Sequence, residues 1–394
     1  MSAAFSSTSA IEPESDILAY APPIVLPPEQ AAAALAPKLL AHAPHSDHEG
    51  GFPVQEFSWL REAGLLQAPL ESVNTGLAAP AQTLKLLQTL KHIGRGNLAV
   101  GRVYEGHVNA LQLLQRFGQP EQISGWVANV RAGHLFGVWN TEAQDGVKLE
   151  PLPNGRYRLQ GSKTFASGAG HVTRPLLTAA LPDGGWQMLI LPANTQQPAL
   201  DSSFWRPLGM RASASFRVDF SGLEISEADL LGQPGDYYRQ PWFSGGAIRF
   251  AAVQMGGAEA VFDETRRFLQ ALGRTDDPYQ RQRLGEMTLL IESGALWLRG
   301  AADHASRPGA ESAAEATVAY ANMVRTAIED ICLRVLQLAE RSVGARGLLQ
   351  PEPFERLHRD LTHYLRQPAP DAAQADAGRF ALIHTAPAYQ LWNA

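Results

Sequence analysis

The spacing of apolar positions divides the chain into three textures. Between about residues 27 and 133, apolar residues recur at intervals of three and four in PEQAAAALAPKLLAHA, FPVQEFSWLREAGLL, PAQTLKLLQTLKHIG and NLAVGRVYEGHVNALQLLQRFG, with Gly or Pro at the breaks. That period matches the turn of an α-helix and predicts four or five amphipathic helices. From about 134 to 236 the pattern shortens to strands. HLFGVWNTE is followed by VKLEPLPNGRYRLQG, where two β-rich runs flank Asn154-Gly155, a hairpin signal because both residue types tolerate positive φ. GGWQMLILP and FRVDFSGLEIS continue it, so an antiparallel barrel or sandwich is expected. From about 240 helix returns in AIRFAAVQMGGAEAVFDETRRFLQAL, PYQRQRLGEMTLLIESGALWLRGAADHAS and ESAAEATVAYANMVRTAIEDICLRVLQLAERS. Runs of this length suit antiparallel helices packed face to face in a bundle.

The expected partition is therefore a flexible arm at 1–25, rich in Ser, Pro and Ala, a helical domain at 26–133, a β-domain at 134–238 and a four-helix bundle at 239–394. The fold class is mainly α with a β-domain. No repeat of fixed period is visible, which excludes a solenoid.

Composition narrows the function. Of 394 residues, 45% are hydrophobic and 18% charged, which is ordinary globular composition, and the formal net charge of −6 argues against a nucleic-acid partner. The single cysteine, Cys332, excludes an intramolecular disulfide and sits in an apolar helical run, where a buried thiol is expected. No Lys or Arg precedes Lys38 and no long apolar stretch lies near the start, so neither a secretory leader nor a membrane anchor is expected, and the expected compartment is the cytoplasm. His42, His45 and His48 have metal-ligand spacing but no second ligand cluster, so no metal is expected. No Walker loop, no Gly-x-Ser-x-Gly elbow and no dinucleotide-binding Gly-x-Gly-x-x-Gly after a strand is present.

Four stretches carry a specific likeness: VWNTE at 138–142, LQGSKTFASGAG at 159–170, WRPLGMRASASFRVDFSGLEI at 205–225 and AERSVGARGLLQPEPFERLHRD at 339–360. In this order, with helices before and after the strands, the chain resembles the acyl-CoA dehydrogenase superfamily over about residues 30–390. The resemblance implies FAD held between the β-domain and the bundle. Trp139, Asn140 and Thr141 on one strand, with Phe165 and Ser167 on another, are then cofactor-binding residues. Thr141 would bond the pyrimidine end of the ring, Ser167 would approach the nitrogen that accepts hydride, and Phe165 would lie against the ring. A flat, polar-edged ring does need an aromatic face and a few fixed hydrogen-bonding groups. On the residues alone, Trp139 and Phe165 could equally be sandwich core.

The same resemblance implies that Gly344 and Gly347 pass a dinucleotide pyrophosphate or adenine, often of a neighbouring subunit, although Gly344 could also simply cap a helix. Arg274 is the candidate for the pyrophosphate, with Arg267 or Arg281 as substitutes. Arg211 and Ser215, in the Gly-Met-Arg turn, would shape the pocket or hold the strand. Family members assemble mostly as dimers or tetramers through the bundle, so a homodimer or homotetramer is expected.

The expected chemistry meets a gap. A dehydrogenase of this family needs a carboxylate base across the substrate from the flavin. Counting from Arg359 to the family's usual place for it lands on Pro368, and the alternative place, before Arg249, is Ile248. Asp371 is the tentative displaced base, or else the N-cap of the helix in AAQADAGRFALIH. Tyr104, Glu105 and His107 are candidates for the substrate cavity, and His363, after the Arg-Asp pair, is a further one. Three functions are compatible with these residues. The first is an FAD-dependent oxidoreductase acting on a small acyl or acyl-CoA-like substrate. The second is a flavin-dependent monooxygenase, with Asn140, Ser167, Tyr104, His107 and His363 as its polar set. The third is a flavin- or acyl-binding protein without turnover. An electron-transfer protein or flavin reductase would be the partner of either enzyme.

Overall fold

Helix-starting chemistry sets up the first part of the chain. In the computed structural model, which describes residues 26–70, 76–307, 309 and 313–392, α1 (Pro28–His42) and α5 (Pro120–Arg131) begin with proline, whose missing N–H costs nothing at that position. The expected arm at 1–25 lies outside the described residues. Between them come α2 (Val54–Glu62), α3 (Thr83–Gly96) and α4 (Leu98–Phe117). Asn97 caps α4, its side-chain oxygen accepting the Ala99 N–H at 3.0 Å.

The middle segment holds β1 (Phe136–Trp139), β2 (Lys148–Leu152), β3 (Arg156–Gln160), β4 (Ser162–Ala166), β5 (Arg174–Ala180) and β6 (Trp186–Ile190), then the short α6 (Ala193–Gln196) and β7 (Ala199–Asp201), β8 (Phe216–Asp219), β9 (Glu224–Ser226) and β10 (Leu230–Leu231). One sheet runs β10-β6-β5-β2-β3-β9 with β1 also on β5, and a second runs β4-β8-β7. The expected hairpin is present, pairing Leu152 with Arg156, and its turn places Gly155 at φ 68°. The sheet is mixed rather than wholly antiparallel: β1 and β5 are parallel, with Phe136 opposite Arg174, and β2 meets β5 in parallel at Lys148 and Ala180. The chain between β1 and β5 contains a hairpin and a third strand, long enough to cross over and return in the same direction, which alternation of residue types does not encode.

The last segment holds α7 (Trp242–Gly245), α8 (Ala247–Ala271), α9 (Pro278–Ser306), α10 (Ala314–Gly347), α11 (Pro353–Tyr364), α12 (Pro370–Ile383) and α13 (Ala388–Leu391). α8, α9, α10 and α12 form the bundle, and α8 also lies along α3. Glycine permits that approach: a Cβ on Gly256 would come within 2.0 Å of the Lys91 carbonyl oxygen. Lys91–Glu259 at 2.6 Å and Arg95–Asp263 at 2.7 Å rim the same contact. The buried core is continuous from α3 and α4 through Trp139, Phe220 and α8 to α10, with Cys332 inside it. Burial pushes the Cys332 thiol up, so it is inert at neutral pH. Among the described residues no helix is long and apolar enough to cross a membrane, and no group of His, Cys, Asp or Glu could hold a metal ion.

α11 locks the three segments together. Asp360 accepts the Met210 N–H at 2.6 Å, and Arg359 reaches Asp47 at 2.6 Å and also Glu355. The turn that precedes Met210 approaches so closely that a Cβ on Gly209 would lie 2.1 Å from the Arg359 carbonyl oxygen. Burial raises the Asp360 carboxyl, and Arg356 and the Met210 N–H oppose that rise.

Candidate functional site

Where the middle strands, α4 and the bundle meet, the structure leaves a cavity of about 880 Å³. The N-terminal ends of α8, α10 and α12 all open onto it, through Arg249, Glu315 and Ala372. A second chamber of about 660 Å³ continues past Asn109, Trp242 and Arg249 toward Leu86, Leu87 and Ile248.

The strand side of the cavity carries Asn140, Thr141 and Phe165. Asn140 and Thr141 follow directly after β1, and Phe165 stands on β4, where a bulge breaks the register with β8 between Lys163 and Ala166. Phe165 has φ 52°, costly for an aromatic residue, and 49% of it is exposed. The bulge turns this ring out into the cavity, while Phe204 and Trp205 brace its edges with centroids at 5.3 and 6.1 Å.

Asn140 has a fixed orientation with a traceable cause. The Lys163 ammonium is fully buried, pairs with Glu142 and donates to the Thr178 hydroxyl at 3.1 Å. An ammonium only donates, so the Thr178 hydroxyl must pass its own proton onward, to the Asn140 side-chain oxygen. Tyr238 approaches the same oxygen at 3.5 Å. The Asn140 amide N–H₂ is thereby turned the other way and available to a bound group. Burial holds the Lys163 pKa below its usual value, and Glu142 opposes that shift.

The helical side is charged. Arg102, Glu105 and Asn109 project from α4, and Arg249 from the first turn of α8. Glu105 is buried with both oxygens engaged, by Arg102 Nη1 at 3.0 Å and Arg249 Nε at 3.0 Å, while Arg249 Nη1 donates to Gln112 at 2.9 Å. Farther round, Arg379 bridges Glu315 at 2.9 Å and Asp376 at 2.9 Å, and Asp376 also accepts from Asn322 at 3.0 Å. Pro368 lies in this wall, its carbonyl taking the Arg325 Nη2 proton at 2.8 Å. Every carboxylate among the described residues of the wall is thus held by arginine, and at Pro368 the wall offers neither a side-chain base nor a backbone N–H.

Several expected site residues lie elsewhere. Trp139 is core, its indole N–H donating to the Ser167 carbonyl at 3.0 Å, and the Ser167 hydroxyl joins Ser215 at 2.9 Å and through it Ser213. Tyr104 and His107 do not line the cavity. The Tyr104 hydroxyl donates to the Leu65 carbonyl at 2.8 Å, and His107 bridges the Leu66 carbonyl at 2.9 Å and the Phe136 N–H at 3.1 Å. Since the Phe136 N–H can only donate, Nδ1 of His107 is the acceptor and Nε2 carries the proton; burial lowers its pKa to about 4. Both residues lie on the α4 face that turns into the core, roughly a third to a half of the way round the helix from Glu105.

Asp371 is exposed, neither in the wall nor a cap: the N-cap of α12 is Ala369, and no side-chain cap bond is made. Helical periodicity puts Ala369, Ala372, Ala373 and Asp376 on the cavity side and leaves Asp371 facing out. Arg211 lies behind the wall in a short 3₁₀ turn, where its carbonyl accepts the Trp205 indole N–H at 3.3 Å. His363 packs edge-on against Trp205 at 5.4 Å, one ring removed from Phe165, and burial lowers its pKa.

Arg274, Gly344 and Gly347 are at the other end of the bundle. From Arg325, in the cavity wall, to Gly344 is about 28 Å along α10 at about 1.5 Å per residue. Gly344 breaks α10 with φ 62°, and Arg274 is exposed in the α8–α9 turn. The His42–His45–His48 string is no ligand set, since His42 bonds Glu56 at 3.1 Å and stacks on His45.

Glu105, a candidate from the sequence, does line the cavity, and the sequence also marks its companions on the same helix. Arg102, Glu105, Asn109 and Gln112 form a polar stripe at spacings of three and four through an otherwise apolar helix.

Comparison with known proteins agrees with this architecture. The family model described as the acyl-CoA dehydrogenase C-terminal domain matches residues 248–365. A probable acyl-CoA dehydrogenase, YngJ of Bacillus subtilis (strain 168), is 24% identical over 349 residues, covering 82% of this chain and 88% of the relative. A dibenzothiophene monooxygenase of Rhodococcus erythropolis is 25% identical over 391 residues, covering 90% and 93%. Among solved structures, FMN-bound TdsC from Paenibacillus sp. A11-2 superposes with a TM-score of 0.81 at 21% identity, over 93% of this chain and 99% of that one. Butyryl-CoA dehydrogenase from Megasphaera elsdenii gives 0.79 at 19% identity, over 91% and 97%. The domain match, relatives that run nearly the length of the chain and the shared helix–sheet–bundle architecture make this chain a member of the acyl-CoA dehydrogenase-like superfamily.

Proposed function

We propose that this protein is a flavin-dependent monooxygenase acting on a small molecule in the cavity between the strands and the bundle. One observation carries the choice over direct dehydrogenation of an acyl-CoA: Pro368 occupies the wall at the position where the family's base is expected, and each carboxylate among the described residues around the cavity is already held by arginine. The likeness to dibenzothiophene monooxygenases and to FMN-bound TdsC supports the same reading.

The strand side fits a flavin ring. An exposed aromatic face at Phe165 beside two hydrogen-bonding residues at the end of β1 is what a flat, polar-edged ring requires, and Asn140, Thr141 and Phe165 would hold it. Bound and reduced, the flavin supplies the electrons for dioxygen activation. The residues of this chain would orient the ring through the Asn140 N–H₂, line a partly enclosed space around the substrate, and leave substrate C–H bonds alone for want of a free base. Within this chain's own cavity only the ring end of FAD, shared with FMN, is accounted for. An adenine half at Arg274, Gly344 and Gly347 would have to belong to a second copy, and Leu289 and Leu296, exposed on α9, are where a homodimer or homotetramer would form. A separate reductase would deliver the reduced flavin.

The test is to load the purified protein with flavin and watch two signals. Oxygen uptake that depends on both pre-reduced flavin and substrate is expected, with no anaerobic bleaching by acyl-CoAs. Bleaching by an acyl-CoA without added reductant would overturn the proposal in favour of a dehydrogenase, and a protein that takes up no flavin would overturn it altogether.

A further inference from the structure

Among the described residues, the cavity wall contains four guanidinium groups, of Arg102, Arg249, Arg325 and Arg379, against three carboxylates, of Glu105, Glu315 and Asp376, which leaves one positive charge over. The excess has a definite place. On the bundle side Arg379 is bridged by two acids, whereas at the inner end two arginines share Glu105 alone. The Glu105 and Arg249 side chains are 5% and 12% exposed, so water screens this excess poorly, and a buried charge without a counter-charge is costly unless something arrives to balance it.

Unused donors surround the same point. Arg249 gives Nε to Glu105 and Nη1 to Gln112, while Nη2, packed beside Gly246, has no acceptor among the described residues. Asn109, one helical turn beyond Glu105 and half-buried where the two chambers join, makes no side-chain hydrogen bond among them either. Around these donors the walls are aromatic: Tyr237, Trp242, Phe243 and Phe250.

We propose that the substrate is a small organic anion, an aryl or alkyl carboxylate, sulfinate or sulfonate. Its single negative charge sits at Arg249 Nη2 and the Asn109 amide, balancing the Arg102–Glu105–Arg249 cluster. Its apolar part lies among the aromatic walls, toward Phe165. A planar fork that has already spent two of its edges still presents donors to one anionic oxygen, a charge-assisted contact that a neutral isostere cannot make. The assignment rests on the cavity being the reaction site, as proposed above.

Benzoate and its neutral counterpart benzamide are the probes, titrated calorimetrically into the flavin-loaded protein at neutral pH. Benzoate should bind about tenfold or more tighter. Arg249→Met should remove that preference, and Arg249→Lys, which keeps the charge but not the fork, should restore part of it. Glu105→Gln should act in the opposite direction and tighten benzoate by about threefold or more, because it adds to the uncompensated charge. Equal binding of the two probes, or Glu105→Gln and Arg249→Met weakening benzoate alike as a purely structural pair would, overturns the inference. The phosphate of a flavin nucleotide is an anion too: if flavin loading abolishes benzoate binding, the site belongs to the cofactor and the substrate assignment falls. Because binding is read without turnover, a protein that prefers benzoate but takes up no oxygen refutes the monooxygenase and leaves the anion site standing.

Discussion

The two faces of α4 carry polar residues side by side and put them to opposite uses. Tyr104 and His107 point into the core, neutral, each satisfied by backbone groups of Leu65, Leu66 and Phe136. Arg102, Glu105 and Asn109 point into the cavity, charged or unsatisfied. Residue type does not separate the sets: tyrosine and histidine are the usual candidates for acid–base work, yet here they are internal fasteners. What distinguishes a fastener from a site is whether its hydrogen-bonding capacity is exhausted by the protein itself.

The sharpest break of that comparison is Glu105→Ala. It leaves the Arg249 guanidinium, 12% exposed, and the half-buried Arg102 without a counter-charge and should cost roughly 3–5 kcal/mol in denaturant unfolding. An unchanged midpoint would show that water already fills and screens the cavity end. On the core face, His107→Leu orphans the Leu66 carbonyl and the Phe136 N–H and should cost roughly 2–4 kcal/mol while leaving flavin and benzoate affinity alone. Lost ligand binding in a folded His107→Leu protein would place the histidine in the site after all.

His107 also sets a pH dependence. Its folded pKa, near 4, is below the ordinary 6.5, so the unfolded chain binds the extra proton first. Its stability contribution is intact above about pH 6.5, falls as pH drops through this window and is lost by about pH 4, for a total of about 3 kcal/mol. His92 and His304, also lowered to about 4, act with the same sign. Stability measured from pH 7 down to 4 should therefore decline, and less steeply in His107→Leu.

A smaller effect is expected from Lys163→Met, which frees the Thr178 hydroxyl and lets the Asn140 amide turn. Flavin affinity should weaken about fivefold, by roughly 1 kcal/mol, with a changed flavin absorption spectrum. Loss of stability with an unaltered spectrum would reduce Lys163 to a core fastener like His107. At the bottom of the scale stands Asp371→Asn, on an exposed helical face, with an expected change within about 0.5 kcal/mol and none in oxygen uptake or flavin binding.

Much of the architecture was legible in the sequence because each layer has its own period. Three and four spacing marked α1 to α4 and the long helices of the bundle, and Asn154-Gly155 marked the β2–β3 hairpin. The parallel pairing of β1 with β5 was not legible, since alternation tells a strand which face to bury and not which neighbour to take. Asn140, Thr141 and Phe165, which line the cavity, stood out in the sequence because they sit on short motifs. The α4 and α8 residues were largely missed because motif logic ranks residues by chemistry, whereas the packing of Gly106 near Val138 decides which helical face looks outward. Asp371 failed for a related reason: Pro370 and the turn of α12 aim its neighbours, not its own side chain, at the cavity.

The convergence of three helix N-termini on one cavity has a consequence for traffic rather than for fit. Aligned peptide dipoles put roughly half a positive charge at each such end, so α8, α10 and α12 shape a potential that an anion meets before it touches any side chain. That field fades over a Debye length of about 8 Å in physiological salt. The speed with which a negatively charged molecule enters should then depend on ionic strength, while its residence time, set by enclosed contacts, should depend on it much less.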